Sequence, residues 1–538
     1  MCADYILLSD AVFTGETLEP FAGGVVVDGK KIVAVGTKDD VLALRGSDTE
    51  VIDCGNKLIA PGFNDSHLHF ASGAAMNDPD FCVNLMGCES EVECASRVQA
   101  FCEAHPDNEW VYGVGWDTAM WENHTLPSRE TLDAFAPNQP ICLSSFDHHA
   151  VWANGAALAA AGITSATPQP EGGEIVHDET GRPTGLLLGQ PASMQVSELA
   201  LHVKGLKGSI LRLLDIFKGL GITAVGDMFP RDLSNDDIYD IYQEIEDEGD
   251  LSCRVTFFPS LLEIPEALYL RTICDSDRLR VGGVKQVLDG VIEAQTAFML
   301  EPYEGSDQRG ETNLPADEFK HLVKTADAAG LAVRVHCIGD AAAHLALDAH
   351  EEAQQANGKK RLHHVLEHIE TIVDEDIAHM ATLGVGASVQ PLHATFGSST
   401  GFYDICIGAD RASQCWRFRT IRDAGVQLGL STDFPAAPMV EPLQVLHAAV
   451  TRSMPDGEPA EGFHPEYALS LGEALQCMTY GSAWVEGFDH AVGTLTPGML
   501  ADLVVIDRNL FALDDLHEIA ESSVVLTMMD GEIVYSAE

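Results

Sequence analysis

The chain is poor in positive charge. Its 538 residues carry 31 Lys and Arg against 83 Asp and Glu, a formal net charge of −52. Such a surface repels nucleic acid and anionic membranes, and it favours neutral or cationic small molecules as partners. No run of like charges is long enough for a disordered tail, so an acidic cytoplasm or a salty habitat is the simplest reading of the excess. Long apolar runs are missing as well. No stretch reaches the roughly 18 residues of a transmembrane helix, and Met1-Cys2-Ala3-Asp4 lacks the basic-then-apolar order of a signal peptide. Cysteine is present without pattern: 13 residues, an odd number, and no CxxC pair. That indicates neither a disulfide framework nor a zinc ribbon and suits reduced thiols in a cytoplasmic protein.

What is present is ordinary globular material, 46% hydrophobic and 21% charged. The length predicts about two to four structural units. The two ends resemble each other. Gly24 to Val35 reads as two strands around Asp28-Gly29, and Val524 to Tyr535 repeats the pattern around Asp530-Gly531. Asp-Gly between apolar runs signals a hairpin whose two central residues have positive φ. A further strand, Ala501 to Ile506, precedes the second hairpin. These terminal segments predict one small β-sandwich built from residues 1–60 and 488–538.

Between them, strand-like runs alternate with helical periodicity. Eight strand candidates lie near Leu58–Asn64, Ile222–Asp227, Ser252–Phe258, Gly283–Leu288, Leu331–His336, His363–His368, Val385–Gln390 and Val426–Thr432. Ile210, Leu211, Leu213, Leu214 and Phe217 keep one apolar face before the second, and Phe319, Leu322, Val323 and Ala326 before the fifth. Eight βα units predict an α/β fold, a (β/α)₈ TIM barrel, here over 61–76 and 204–487. The gap after the first strand is too long for a loop. Residues 77–203 are therefore expected to form an inserted lobe that contributes to the substrate pocket.

Chemistry-bearing residues collect at the C-terminal ends of these strands, the face where barrel active sites sit. His67 and His69 are two apart and point the same way on a strand. Lys285 lies in the fourth strand, His336 closes the fifth, His368 the sixth, and Asp433 follows the eighth. Each alone has a bland explanation, such as a hydrogen-bonded histidine or an ion-paired lysine. Six converging on one rim point to a metal site.

The sequence resembles the amidohydrolase superfamily, and within it the amidohydrolase-3 branch that includes N-substituted formamide deformylases. The likeness rests on Pro61-Gly62-Phe63 through His69, Gly113 to Asp117, His149 to Asn154, Gly173-Glu174-Ile175 with Pro183-Thr184-Gly185, and Val284-Lys285 through Gly290 with Thr296-Ala297. It continues through His336-Cys337-Ile338-Gly339-Asp340, Gln390-Pro391-Leu392-His393 and Gly498 to Leu503. Two departures fall where substrate contacts are plausible: Asp147-His148-His149 replaces Asp-Gly-His, and His363-His364 replaces a basic residue before Glu367-His368.

The resemblance implies hydrolysis of a non-peptide C–N bond, amide, N-acyl or N-formyl, in a small molecule by a metal-activated hydroxide. It implies one or two divalent ions per chain, with zinc suiting the ligand types. In the binuclear form His67, His69 and Asp433 hold one ion and His336 and His368 the other. Lys285, carboxylated by CO₂ to a carbamate, bridges them. Asp433 takes the proton of the attacking water and passes it to the leaving nitrogen. Trp116, His149, Trp152 and His393 are candidate substrate contacts, with lobe-core packing the alternative for the two tryptophans. Asp340 is a candidate orienter of a metal-binding histidine, with a helix N-cap as its alternative. Deamination or lactone hydrolysis on the same barrel is the competing chemistry. A non-catalytic scaffold is disfavoured because all six ligand positions are filled. The sequence does not fix an oligomeric state; family analogy suggests a homodimer.

Overall fold

The computed structural model describes residues 3–122, 124–145, 150–170, 172–201, 205–229, 235–274, 276–437 and 439–537. They divide into two compact units, one of residues 1–69, 214–229 and 248–538, the other of residues 70–213 and 230–247. The second unit contains the stretch 77–203 expected as an inserted lobe. It also takes in most of the helix Asn235–Glu248, whose Tyr242 ring stacks on Phe70 at 5.5 Å.

In the first unit both chain ends join one eight-stranded sheet. Its seam is the antiparallel pairing of Leu503–Ile506 with Leu58–Pro61, in register Val505 opposite Ile59. Outward from the seam lie Val524–Met529 and Glu532–Ser536 on one side, and Tyr5–Val12, Phe21–Asp28 and Lys31–Gly36 on the other. The apolar alternation of these strands buries Leu7, Val25, Val27, Leu503, Val505 and Met528 in a shared cluster. The two hairpins are not the same turn. Asp530 and Gly531 both have positive φ, as expected. In the first hairpin Asp28 pairs with Lys31, so Gly29 and Lys30 make the turn and only Gly29 has positive φ. Glycine at the first central position meets the one strained angle of that turn type.

The remaining strands of this unit are parallel and form two arcs. One contains Phe63–Leu68, Ile222–Met228, Arg254–Phe258 and Leu279–Val281; the other Gly283–Val287, Ala332–Cys337, Val365–His368, Gly386–Val389 and Leu428–Leu430. Their burial on both faces suits parallel strands covered by helices. The helix Ala316–Ala328 turns Phe319, Val323 and Ala326 inward, and Asp340–Asn357 buries its alanine-rich face.

The expected first strand, Leu58–Asn64, is two strands. The Gly62 N–H donates to Asp502 O of the terminal sheet, and the Phe63 N–H donates to Gly221 O of the parallel arc, each at 3.0 Å. The chain changes sheet between these residues. A Cβ on Gly62 would lie 2.1 Å from Thr223 Oγ1, so glycine is required there.

The second unit has a six-stranded sheet that includes Val111–Trp116, Ile141–Ser145, Ala150–Ala153 and Pro183–Leu188. Trp116, Trp121 and Trp152 fill its core, with ring centroids 6.1–6.5 Å apart. The twelve described cysteines form no disulfide. Among the described residues no helix is long and apolar enough to cross a membrane.

Candidate metal centre

The strand Phe63–Leu68 is buried throughout and delivers His67 near its C-terminal end, with His69 one step past it. Asp433 meets them from beyond Leu428–Leu430, its N–H donating to His67 O at 2.8 Å. Nε2 of His67 lies 3.4 Å from Asp433 Oδ1, and Nε2 of His69 lies 3.6 Å from the same oxygen. That oxygen is buried and accepts no well-formed hydrogen bond among the described residues. The spacings match the edge of roughly 3.3–3.6 Å that a tetrahedron of 2.0–2.2 Å metal bonds would have. Two imidazole nitrogens and a carboxylate oxygen suit a divalent cation such as zinc.

The other carboxylate oxygen faces a second group. His368 Nδ1 and His393 Nε2 each lie 3.9 Å from Asp433 Oδ2, and the three side chains can present ligand atoms within 4.8 Å of one another. Burial opposes charge on Asp433, and the imidazoles of His67, His368 and His393 more than reverse this, holding its carboxyl well below the usual range. Asp433 therefore stays ionised with one oxygen toward each histidine pair.

His336 was expected to pair with His368, and it stands outside both groups. Its ring centroid is 4.4 Å from that of His368, while its Nε2 lies 3.3 Å from Gly290 O and 3.7 Å from Asp289 Oδ1. His393, expected at the substrate, supplies the nearby nitrogen instead, from the helix Pro391–Thr400. Lys285 lies in Gly283–Val287 and is only 2% exposed. Burial lowers its ammonium to about 8 despite the raising influence of Glu367 and Asp433.

The backbone is strained where two of these side chains emerge. His368 and Asp433 have φ of +69° and +58°, a left-handed conformation uncommon outside glycine. Such strain costs about 1–3 kcal/mol per residue, and it persists where surrounding bonds over-determine it. Here the Asp433 amide is tied to His67 O, and the Ile369 amide to Cys337 O.

The other expected contacts fall elsewhere. Trp116 and Trp152 are lobe-core residues, and the Trp116 indole N–H donates to Leu143 O at 2.8 Å. His149 lies outside the described residues. Asp340 is the first residue of its helix, and its carboxylate accepts the Leu300 N–H at 2.7 Å. The acid beside His336 is Asp289, which also accepts the amides of Phe298, Ile338 and Gly339. Sequence reasoning passed over three supporting residues. Glu367 accepts from His67 Nδ1 at 2.7 Å, Arg334 Nε donates to Glu367 Oε1, and Gln390 Oε1 accepts from His368 Nδ1 at 2.8 Å. The available signal was a charge inside an apolar strand: Arg334 between Val333 and Val335, and Glu367 after Val365-Leu366.

The profile of the amidohydrolase family matches residues 50–535. The chain belongs to the amidohydrolase family. This amidohydrolase is 27% identical to N-substituted formamide deformylase of Arthrobacter pascens, over 99% of its own length and 98% of that enzyme. It is 28% identical to Protein LONG AFTER FAR-RED 3 of Arabidopsis thaliana, over 99% and 92% of the two chains. Among solved structures, a metal-dependent hydrolase from Pyrococcus furiosus superposes with a TM-score of 0.75 at 26% identity, covering 94% of this chain and 99% of that one.

Proposed function

We propose that this amidohydrolase cleaves an amide, N-acyl or N-formyl C–N bond in a small neutral or cationic molecule. The observation that carries the reading is the single carboxylate of Asp433, with one oxygen toward His67 and His69 and the other toward His368 and His393. Similarity to N-substituted formamide deformylase over nearly the whole of both chains supports the bond class, and the net charge of −52 disfavours anionic substrates. The two parallel arcs, with Leu279–Val281 and Gly283–Val287 counted as one strand interrupted at Gly282, are read as one (β/α)₈ barrel. The bridge between Ser260 and Lys285 at one junction and the Asp433 amide on His67 O at the other support that closure. The terminal sheet is read as a small sandwich curled on itself, supported by the Ile32 N–H donating to Met499 O.

A divalent ion at these ligands would supply Lewis-acid activation of water and polarisation of the scissile carbonyl. The rest is done by the chain. His67 and His69 present imidazole nitrogens toward one oxygen of Asp433. Asp433, held ionised, accepts the proton of the attacking water and returns it to the departing nitrogen, which leaves poorly unless protonated. Lys285, its amine eased toward the neutral form by burial, would add CO₂ and lose a proton to give a carbamate whose carboxylate would help hold the metal.

The test is metal content together with turnover. The purified protein is expected to carry close to two divalent ions and to hydrolyse members of an N-formyl and N-acyl amide panel. Chelation should remove both properties and added zinc restore them. One ion per chain would sink the binuclear form. Activity that survives complete chelation, or turnover confined to lactones or aminopurines, would sink the reading.

A further inference from the structure

We propose that Glu367 and Arg334 are positioning residues that act through His67: together they fix its ring and its tautomer so that Nε2 carries the lone pair aimed past Asp433. The inference rests on the metal reading above, and it deepens that reading by naming what holds the first ligand in place.

The three side chains form an unbroken buried row. His67, Glu367 and Arg334 are each no more than 1% exposed. Nδ1 of His67 lies 2.7 Å from Glu367 Oε2. An ionised carboxylate can only accept, so the proton of this contact sits on Nδ1 and Nε2 is left as an acceptor. Nε2 is the atom 3.4 Å from Asp433 Oδ1. With the tautomer reversed, a proton would stand between His67 and Asp433, and no cation could share those atoms.

Glu367 needs a reason to stay ionised in a buried site. Arg334 Nε donates to its second oxygen. The guanidinium also stacks 4.6 Å over the Phe258 ring, and its two terminal nitrogens are buried without a hydrogen-bond partner among the described residues. Glu367 is therefore the direct partner of Arg334, and each charge keeps the other tolerable in a low-dielectric interior. The neighbouring strands Ala332–Cys337 and Val365–His368 set this pair by register, Arg334 opposite Val365 and His336 opposite Glu367. A carboxylate behind a metal-binding imidazole raises its basicity and fixes its orientation, and losing one typically costs 10–100-fold in metal affinity.

The experiment measures two things on the full chain. The first is the affinity of the folded protein for Co²⁺ and Zn²⁺, by competition with a chromophoric chelator, with the visible spectrum of the Co²⁺ form. The second needs no metal: the imidazole ¹⁵N shifts of His67 in stripped protein, assigned by difference against His67→Gln. Wild type is expected to show the Nδ1–H tautomer. Glu367→Ala is expected to lose that preference, to bind Co²⁺ about 10–100-fold more weakly, and to give an altered Co²⁺ spectrum. Glu367→Gln, which can still accept from Nδ1, should retain the tautomer and recover part of the affinity.

If the single variants fail to fold, Glu367→Gln combined with Arg334→Met removes both charges and leaves none buried alone. A structural role alone would lower thermal stability in these variants and leave tautomer and affinity unchanged. That outcome, or an Nε2–H tautomer in wild type, overturns the proposal. A wild type with the Nδ1–H tautomer that binds neither cation overturns the metal reading while leaving the Glu367 hold on His67 standing.

Discussion

A buried histidine that belongs to neither metal group shows how burial sets a charge state. His350, on the helix Asp340–Asn357, is fully buried, and neither ring nitrogen has a hydrogen-bond partner among the described residues. Burial, with the His364 imidazole beside it, holds its pKa well below the ordinary value, against a weaker opposing influence from Asp327. The ring is neutral in the folded state. In the unfolded chain it takes up a proton below about pH 6.5. The unfolded state therefore binds more protons as pH falls, and the folded state loses stability through that range. His350→Leu removes this loss. Its stability relative to wild type, measured by urea denaturation, should improve between pH 8 and pH 5. A difference independent of pH would refute the account. Glu367, by contrast, is buried and charged because it has partners on both oxygens.

At the scale of elements, the strand Arg254–Phe258 is fastened to the terminal sheet by charge. Arg254 Nε lies 2.6 Å from Asp502 Oδ2, and its Nη2 lies 2.5 Å from Asp530 Oδ1, all nearly inaccessible; Arg278 reaches the other Asp530 oxygen at 2.9 Å. Burial would raise the Asp530 carboxyl, and Arg254 and Arg278 draw it down to about 2. Its contribution to stability is complete above the unfolded value of about 4 and is lost as pH falls toward 2. Arg254→Met leaves Asp502 without its guanidinium and Asp530 with Arg278 and Lys30. Such a break in a buried pair costs about 3–5 kcal/mol. Equilibrium unfolding at pH 7 should show a loss of that size, shrinking as pH is lowered from 4 to 2. A loss below about 1 kcal/mol would mean the cluster is no stronger than a surface pair.

For the whole molecule the dominant quantity is the charge of −52. Self-repulsion destabilises a compact state, and salt shortens its reach, with a Debye length of about 10 Å at 0.1 M falling to about 3 Å at 1 M. Raising sodium chloride over that range should lift the calorimetric melting temperature by several degrees. A flat or falling trend would show that the acidic groups are locally compensated.

The sequence by itself determined the alternation of strands and helices, the likeness of the two ends, and the family. These rest on local periodicity, turn chemistry and motifs that survive as short strings. It also put His67, His69, Lys285, His368 and Asp433 forward, because ends of strands are recognisable one at a time. Tertiary structure alone decided what those residues meet. It put His393 beside Asp433 and His336 Nε2 beside Gly290 O, split the strand expected at Leu58–Asn64 at Gly62, sank Trp116 and Trp152 into a core, and set Glu367 behind His67 across 300 residues of chain. Each of these depends on distances between segments remote in sequence. Strand register and packing fix such distances, and the local pattern of a chain does not encode them.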